Sequence, residues 1–282
     1  SQNRINLPPQ ERRVGYMFQN YALFPQMTVL DNIRMGARRE KNAALKKKKV
    51  AEIMERFEIT DLSHRYPSQI SGGQQQRTAL GRILVSDPEI LLLDEPFSAL
   101  DTHLRFRLER ELREVARDFR KTVILVSHDR DETFRLADKI AILSNGKLDI
   151  CGDKVDVFRD PSTRQAAILT GCKNISGFTA NGAQRIHATD WDISLDVAQN
   201  PAGFHYIGIR MHDIFYGDGP NATHFVVLEE IENPFSYTIM VRAKGALHAS
   251  PLGWEVDKAL WQSVRASEIV LHIPHENIML LN

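Results

Sequence analysis

The chain has 282 residues, 43% hydrophobic and 26% charged, which supplies a sizeable core and room for two domains. Thirty-six basic side chains balance thirty-six acidic ones, so no net field favours nucleic acid or an anionic membrane. The sequence argues against a membrane-spanning helix, which needs about 18 uninterrupted apolar residues, and against a signal peptide, since residues 1–13 are polar and proline-bearing.

Residues 13–18 (Arg-Val-Gly-Tyr-Met-Phe) read as a short strand running into a polar loop at Gln19 and Asn20. A helix is expected from 28 to about 39, with Asp31 as a possible cap. Val50, Ile53, Met54 and Phe57 recur at i, i+3, i+4 and i+7, one apolar face of a second helix. The lysine run at 46–49 could bind phosphate or lipid; a solvated helix face is the simpler reading, because Glu52 and Glu55 follow.

Ile90-Leu91-Leu92-Leu93 is a continuous apolar run stopped by Asp94-Glu95-Pro96, which suits a strand buried on both faces of a parallel sheet. Leu104, Leu108, Leu112, Val115 and Phe119 hold one face of the next helix. Residues 122–127 form a second buried strand ending before His128. Residues 139–143 form a third, closed by the tight-turn composition Ser144-Asn145-Gly146-Lys147. Strands alternating with helices predict an α/β core whose active groups lie at the carboxyl ends of strands, where Asp94, Glu95 and His128 fall.

From about 160 the texture changes. A short helix-like connector follows Pro161-Ser162-Thr163, and beyond it lie short alternating segments at 186–195, 206–210, 225–228, 237–241, 247–249 and 269–273. Asn-Gly, Asn-Pro, Gly-Pro and Pro-Leu-Gly turns separate them, which reads as a small all-β barrel of roughly 110 residues. The two cysteines, Cys151 and Cys172, make neither a disulfide framework nor a metal cluster and read as thiols in a reducing cytosol.

Three features carry chemistry. Ser71-Gly72-Gly73-Gln74 ahead of a helix offers backbone N–H groups and the helix dipole to a phosphate, although a plain helix cap reads the same way. Two adjacent carboxylates at a strand end, Asp94 and Glu95, suit a magnesium–phosphate site, one holding the ion and the other orienting or deprotonating a water; the bland alternative is an acidic surface turn. His128, at a neighbouring strand end, can reach the same phosphate, although a lone histidine is more often structural.

In order along the chain stand Gln19 in Phe-Gln-Asn-Tyr-Ala-Leu-Phe-Pro, then Ser71-Gly72-Gly73-Gln74, Leu91-Leu92-Leu93-Asp94-Glu95-Pro96, Ser98-Ala99-Leu100-Asp101 and Ser127-His128-Asp129. This series resembles the ATP-binding cassette (ABC) family: Q-loop, signature, Walker B, D-loop and H-loop. The one departure is Ile70 where leucine usually precedes the signature. The resemblance implies a P-loop NTPase-type α/β domain over 1–160, a connector over 161–174 and the β-barrel accessory domain over 175–282. It implies ATP and Mg2+ as cofactors. Glu95 is then the general base, Asp94 and Gln19 the magnesium ligands, and His128 the γ-phosphate switch. Ser71, Gly72, Gly73 and Gln74 clasp ATP held by a second copy, and Asp101 lies between the copies.

The family also needs a Gly-x-x-x-x-Gly-Lys-Ser/Thr phosphate cradle, and these residues contain none. That loop is expected ahead of Ser1, so the chain reads as N-terminally truncated and poor at binding ATP by itself. A cassette followed by a barrel resembles importers of oxyanions, sugars, polyamines or iron. Leu169-Thr170-Gly171-Cys172-Lys173-Asn174, 208–214 and Glu232-Asn233-Pro234-Phe235 look most like the molybdate/sulfate group, whose accessory domain can resemble small molybdate-binding domains. The implied partners are membrane permease subunits, a second copy in an ATP-sandwich homodimer and, indirectly, a solute-binding protein, with no nucleic acid. The implied place is the cytoplasmic face of the cell membrane. A soluble cassette acting on ribosomes or DNA, and an inactive fragment, stand as the alternatives.

Overall fold

The computed structural model describes residues 6–8, 11–98 and 102–282, the side chains of 102–104 excepted. Two compact units divide the chain, Ser1–Ala137 and Asp138–Asn282.

In the first unit, β1 (Val14–Met17) precedes the helices α1 (Val29–Gly36), α2 (Ala43–Arg56) and α3 (Gly72–Leu84). There follow β2 (Ile90–Asp94), α4 (Thr102–Phe119), β3 (Thr122–Val126) and α5 (Arg130–Leu136). The strands make a parallel sheet in the order β1-β2-β3, with Met17 paired to Leu93 and Asp94 to Val126. Parallel pairing follows from the helical crossovers between successive strands. Leu91 and Leu93 of β2 are buried with Met17, Ile33, Leu80 and Phe97. The expected cap of α1 is corrected: Thr28 accepts the Asp31 N–H at 3.2 Å, and Asp31 lies in the first turn. Either residue type can cap, and the helix starts three residues earlier than its acidic residue suggests.

The expected second strand at 122–127 forms as β3, but among the described residues it pairs with β2 alone and is less buried than expected, Ile124 and Val126 being 48% and 55% exposed. A run of Val, Ile and Leu fixes a strand's propensity without fixing its place in the sheet.

The second unit opens with a hairpin of β4 (Lys139–Ser144) and β5 (Lys147–Asp153). Its turn residues Asn145 and Gly146 both take positive φ, +50° and +74°, the reason Asn-Gly is favoured there. The hairpin forms its own two-stranded antiparallel sheet, with the strand expected at 139–143 closed by the tight turn expected at 144–147. Next come α6 (Lys154–Arg159) and α7 (Arg164–Leu169). Arg210 braces the ends of both helices: its guanidinium donates to the carbonyl of Phe158 and, at 2.8 Å, to that of Thr170. A cation at two helix C-termini satisfies carbonyls that lack partners within the helices.

Ten further strands complete the unit: β6 (Asn174–Ala180), β7 (Arg185–Ala188), β8 (Ile193–Asp196), β9 (Tyr206–Ile209), β10 (Phe215–Tyr216), β11 (Thr223–Glu232), β12 (Ser236–Ala243) and β13 (Leu252–Asp257), then α8 (Lys258–Val264), β14 (Ile269–His272) and β15 (Ile278–Leu281). They pair antiparallel as two five-stranded sheets, β15-β9-β6-β7-β8 and β10-β14-β11-β12-β13. One core serves both, with Ile186, Leu195, Ile207 and Ile209 from the first sheet and Ile239, Val241, Trp254 and Leu271 from the second. The expected segment 186–195 is two strands, β7 and β8, paired as a hairpin, and 247–249 is a turn. Pro251-Leu252-Gly253, read as a turn, instead leads β13, where Trp254 is buried edge-on against Trp261 of α8 at 6.1 Å. Among the described residues no helix is long and apolar enough to cross a membrane.

Candidate functional site

The parallel register gathers the chemistry-bearing residues at one edge. Gln19 lies two residues past the last pair of β1, Glu95 one past that of β2, and His128 two past that of β3. With neighbouring strands about 4.8 Å apart, three strand ends occupy about 10 Å. The Glu95 N–H donates to the Val126 carbonyl at 2.9 Å, and the Glu95 carbonyl accepts from Ser98 N–H at 3.3 Å and Ser98 Oγ at 3.0 Å. These bonds hold Glu95 at φ +47°, a left-handed conformation that non-glycine residues adopt rarely and that clusters at functional sites.

Glu95 Oε1 and His128 Nδ1 lie 2.7 Å apart. Hydrogen bonding to Glu95, then the charge of that carboxylate, raises the His128 pKa above its ordinary value. His128 is itself 79% exposed, so its other ring nitrogen is open to a ligand. Asp94 Oδ2 accepts the Tyr16 hydroxyl at 2.9 Å, and that bond raises the tyrosine pKa. Gln19 is exposed at the crest of a turn closed by Tyr21 N–H to Phe18 carbonyl at 2.9 Å.

Behind the histidine lies a partly buried charged network. Asp129 caps α5, accepting from the N–H groups of Asp131 and Glu132, and pairs with Arg105 of α4 at 3.1 Å. Backbone hydrogen bonding from Glu132 lowers the Asp129 pKa first among several causes. Arg135 of α5 forks onto Glu109 of α4 at 2.7 and 2.9 Å. Glu132 is 4% exposed with Oε1 unpartnered, and burial, then the charges of Asp129 and Glu109, pushes its pKa up to about 7.

Ser71 caps α3: its Oγ accepts from Gln74 N–H at 3.4 Å, and Gln74 Oε1 accepts from Ser71 N–H at 2.9 Å, a reciprocal capping box. Among the described residues no hydrogen bond or ion pair joins this group to Asp94, Glu95 or His128. The structure thus brings Gln19, Asp94, Glu95 and His128 to one edge and leaves Ser71, Gly72, Gly73 and Gln74 as a separate helix start. Asp101 lies outside the described residues. Sequence reasoning missed Tyr16, Arg82 and Glu132, whose roles depend on pairings across the fold that no local pattern announces.

The oxygen donors at the strand ends suit a hard cation. The Asp94 carboxylate and the Gln19 amide oxygen would hold Mg2+, which takes one or two protein ligands beside phosphate oxygens. Among the described residues no group of three or more His, Cys, Asp or Glu side chains forms a metal cluster.

A family profile described as ABC transporter matches residues 2–98. The sulfate/thiosulfate import ATP-binding protein CysA 1 of Shewanella oneidensis is 34% identical over 264 residues, 90% of this chain and 67% of the relative. CysA of Vibrio cholerae serotype O1 is 34% identical over 270 residues, 92% and 68% of the two chains. The chain belongs to the ABC transporter ATP-binding family. Over a shorter span, CysA of Yersinia pseudotuberculosis is 43% identical across 195 residues, 67% of this chain and 54% of the relative. The chain therefore spans about half to two thirds of the length of these relatives. A solved dimeric ATP-binding cassette, MJ0796 in a post-hydrolysis state with ADP and Pi, is 29% identical at a TM-score of 0.45, covering 53% of this chain and 68% of its own.

Proposed function

We propose that this chain forms part of the ATP-hydrolysing subunit of an importer that energises uptake of a tetrahedral oxyanion through membrane permease subunits. The observation that carries the reading is the Glu95–His128 contact at the carboxyl edge of the parallel sheet, with Asp94 and Gln19 beside it. Glu95 engages His128 through Oε1, which leaves Oε2 to accept a proton from a water aimed at the γ-phosphate. His128 directs its free ring nitrogen to the phosphate, and its raised pKa favours the protonated, donating form. Mg2+, when bound, neutralises charge developing on the phosphate oxygens.

Hydrolysis also needs a phosphate cradle, which these residues do not contain, so the reading concerns a subunit in which one is present. Ser71, Gly72, Gly73 and Gln74 stand apart from Glu95 within one chain, which favours their serving ATP held by a second copy; Asp101 is assigned between the copies. A solute-binding protein and a peripheral position on the cytoplasmic face of the membrane complete the reading. The residues from 175 onward, within the second unit, are proposed as an accessory β domain of the oxyanion-importer kind.

The relatives' names favour sulfate or thiosulfate, and molybdate, a tetrahedral dianion of the same class, is the narrower alternative resting on the short motifs at 169–174, 208–214 and 232–235. Polyamine, iron or sugar import is the alternative outside that class. The test is ATP hydrolysis by the assembled transporter with its binding protein loaded with sulfate, thiosulfate or molybdate. Stimulation by one of these anions is expected. Stimulation only by a cationic or uncharged solute would contradict the reading.

A further inference from the structure

Gln19 is followed by a loop whose backbone is costly to hold. Tyr21 and Ala22 both take left-handed conformations, φ +60° and +42°, and each such residue costs roughly 1–2 kcal/mol. Three hydrogen bonds hold them, and a ring contact steadies the arginine that makes two of them. From the last turn of α3, Arg82 Nη2 donates to the Tyr21 carbonyl at 3.0 Å and Nη1 to the Ala22 carbonyl at 2.7 Å. The same guanidinium lies 5.2 Å from the centre of the Phe24 ring. The Tyr21 hydroxyl donates to the carbonyl of Pro96, the residue after Glu95, at 3.4 Å.

Asn32 of α1, fully buried, completes the clamp. Its Oδ1 accepts Phe24 N–H at 2.9 Å, and its Nδ2 donates to the carbonyls of Phe24, Met27 and Thr28. Arg82 forms no ion pair among the described residues. An arginine that directs its fork onto two neutral carbonyls is fixing a backbone rather than balancing a charge.

Arg82 also belongs to the helix that Ser71 caps. From Gln74 to Arg82 is eight residues, about 12 Å of rigid α-helix. Arg77, between them, pairs with Glu111 of α4 and with Glu58. One helix thus carries both the Ser71 cap and the arginine that holds the Tyr21 and Ala22 carbonyls.

We infer that Arg82 is a positioning residue: it holds the left-handed turn after Gln19 and ties that side chain's position to the helix begun by Ser71. The inference rests on the proposed role of Gln19 in hydrolysis. Its test is a double-mutant cycle of Gln19→Ala and Arg82→Ala in the assembled transporter, with Arg82→Lys as the conservative variant. Arg82→Ala should lower kcat roughly ten- to a hundredfold, as misplacement of a remotely held group does, and change KM for ATP less than about twofold. In the Gln19→Ala background it should lower kcat no further. Arg82→Lys, which can reach one carbonyl, should recover part of the loss and keeps the test available if Arg82→Ala does not fold. Multiplying losses in the double variant, or unchanged kcat in the single one, would overturn the inference. Hydrolysis unaffected by Gln19→Ala would overturn it as well. Each of those failures leaves the role of Glu95 standing, whereas an assembled transporter that does not hydrolyse ATP refutes the proposed function itself.

Discussion

Glu95 and Glu132 are carboxylates of the same unit with opposite surroundings, and each gives a titration that checks the account. Glu95 raises the pKa of His128 by hydrogen bonding and by its charge. Glu95→Gln keeps the shape and removes the charge, so the His128 ring should titrate at lower pH than in the parent, as followed by NMR; an unchanged or higher value would contradict the contact. Glu132 is held at about 7, above the 4.5 of an ordinary glutamic acid, because it is buried beside Asp129 and Glu109. The folded unit thus binds this proton more tightly than the unfolded chain. The stability it contributes is complete below about pH 4.5 and is lost as pH rises through about 7. Glu132→Gln imitates the protonated form. Its Tm should match the parent at low pH and exceed it above neutrality, and calorimetry showing the same offset throughout would refute this. Of these residues, Asp94, Glu95 and His128 were legible in the sequence because each ends an apolar run. Glu132 was not, since its burial is set by the fold and one of the charges beside it, Glu109, stands more than twenty residues away.

At the scale of elements, close packing makes two sharp demands. A Cβ on Gly36 would stand 1.9 Å from the Arg82 carbonyl oxygen, so α1 approaches α3 only because that position lacks a side chain. Gly36→Ala should destabilise the first unit by roughly 1–3 kcal/mol, the usual cost of overpacking, read as a shifted urea midpoint. In the second unit Asn174 of β6 donates to the Gly253 carbonyl at 2.7 Å and accepts its N–H at 2.8 Å, joining the two sheets through buried polar atoms. Asn174→Ala strands both and should cost roughly 1–3 kcal/mol in the same measurement. Neither demand is written locally. The helix faces around Leu108 and Leu112, and the Asn-Gly hairpin, were legible because their periods and turn chemistry are local. β11 was expected only at 225–228, because Glu229, Glu230 and Glu232 extend it with charged, exposed residues past a register shift between Val227 and Glu229. β13 was hidden by the Pro-Leu-Gly composition of its start. Strand order was hidden as well: nothing in 122–126 shows that β3 pairs with β2.

At the scale of the molecule, the order of motifs identified the family before any pairing was known, while the parallel register supplied what order cannot, one edge shared by Gln19, Asp94, Glu95 and His128. The division at Ala137 reflects packing: the hairpin of β4 and β5 is bound to the residues after it, with Lys154 N–H donating to the Asp138 carbonyl at 3.1 Å and Thr163 Oγ1 to Asp149 at 2.6 Å. The central claim is that Glu95 is the base at that shared edge. Its most direct test is ATP turnover by the assembled transporter carrying Glu95→Gln, with nucleotide binding measured on the same preparation. Binding should be retained while hydrolysis falls by roughly two to four orders of magnitude, the loss expected for a general base; turnover equal to the parent's would contradict the assignment.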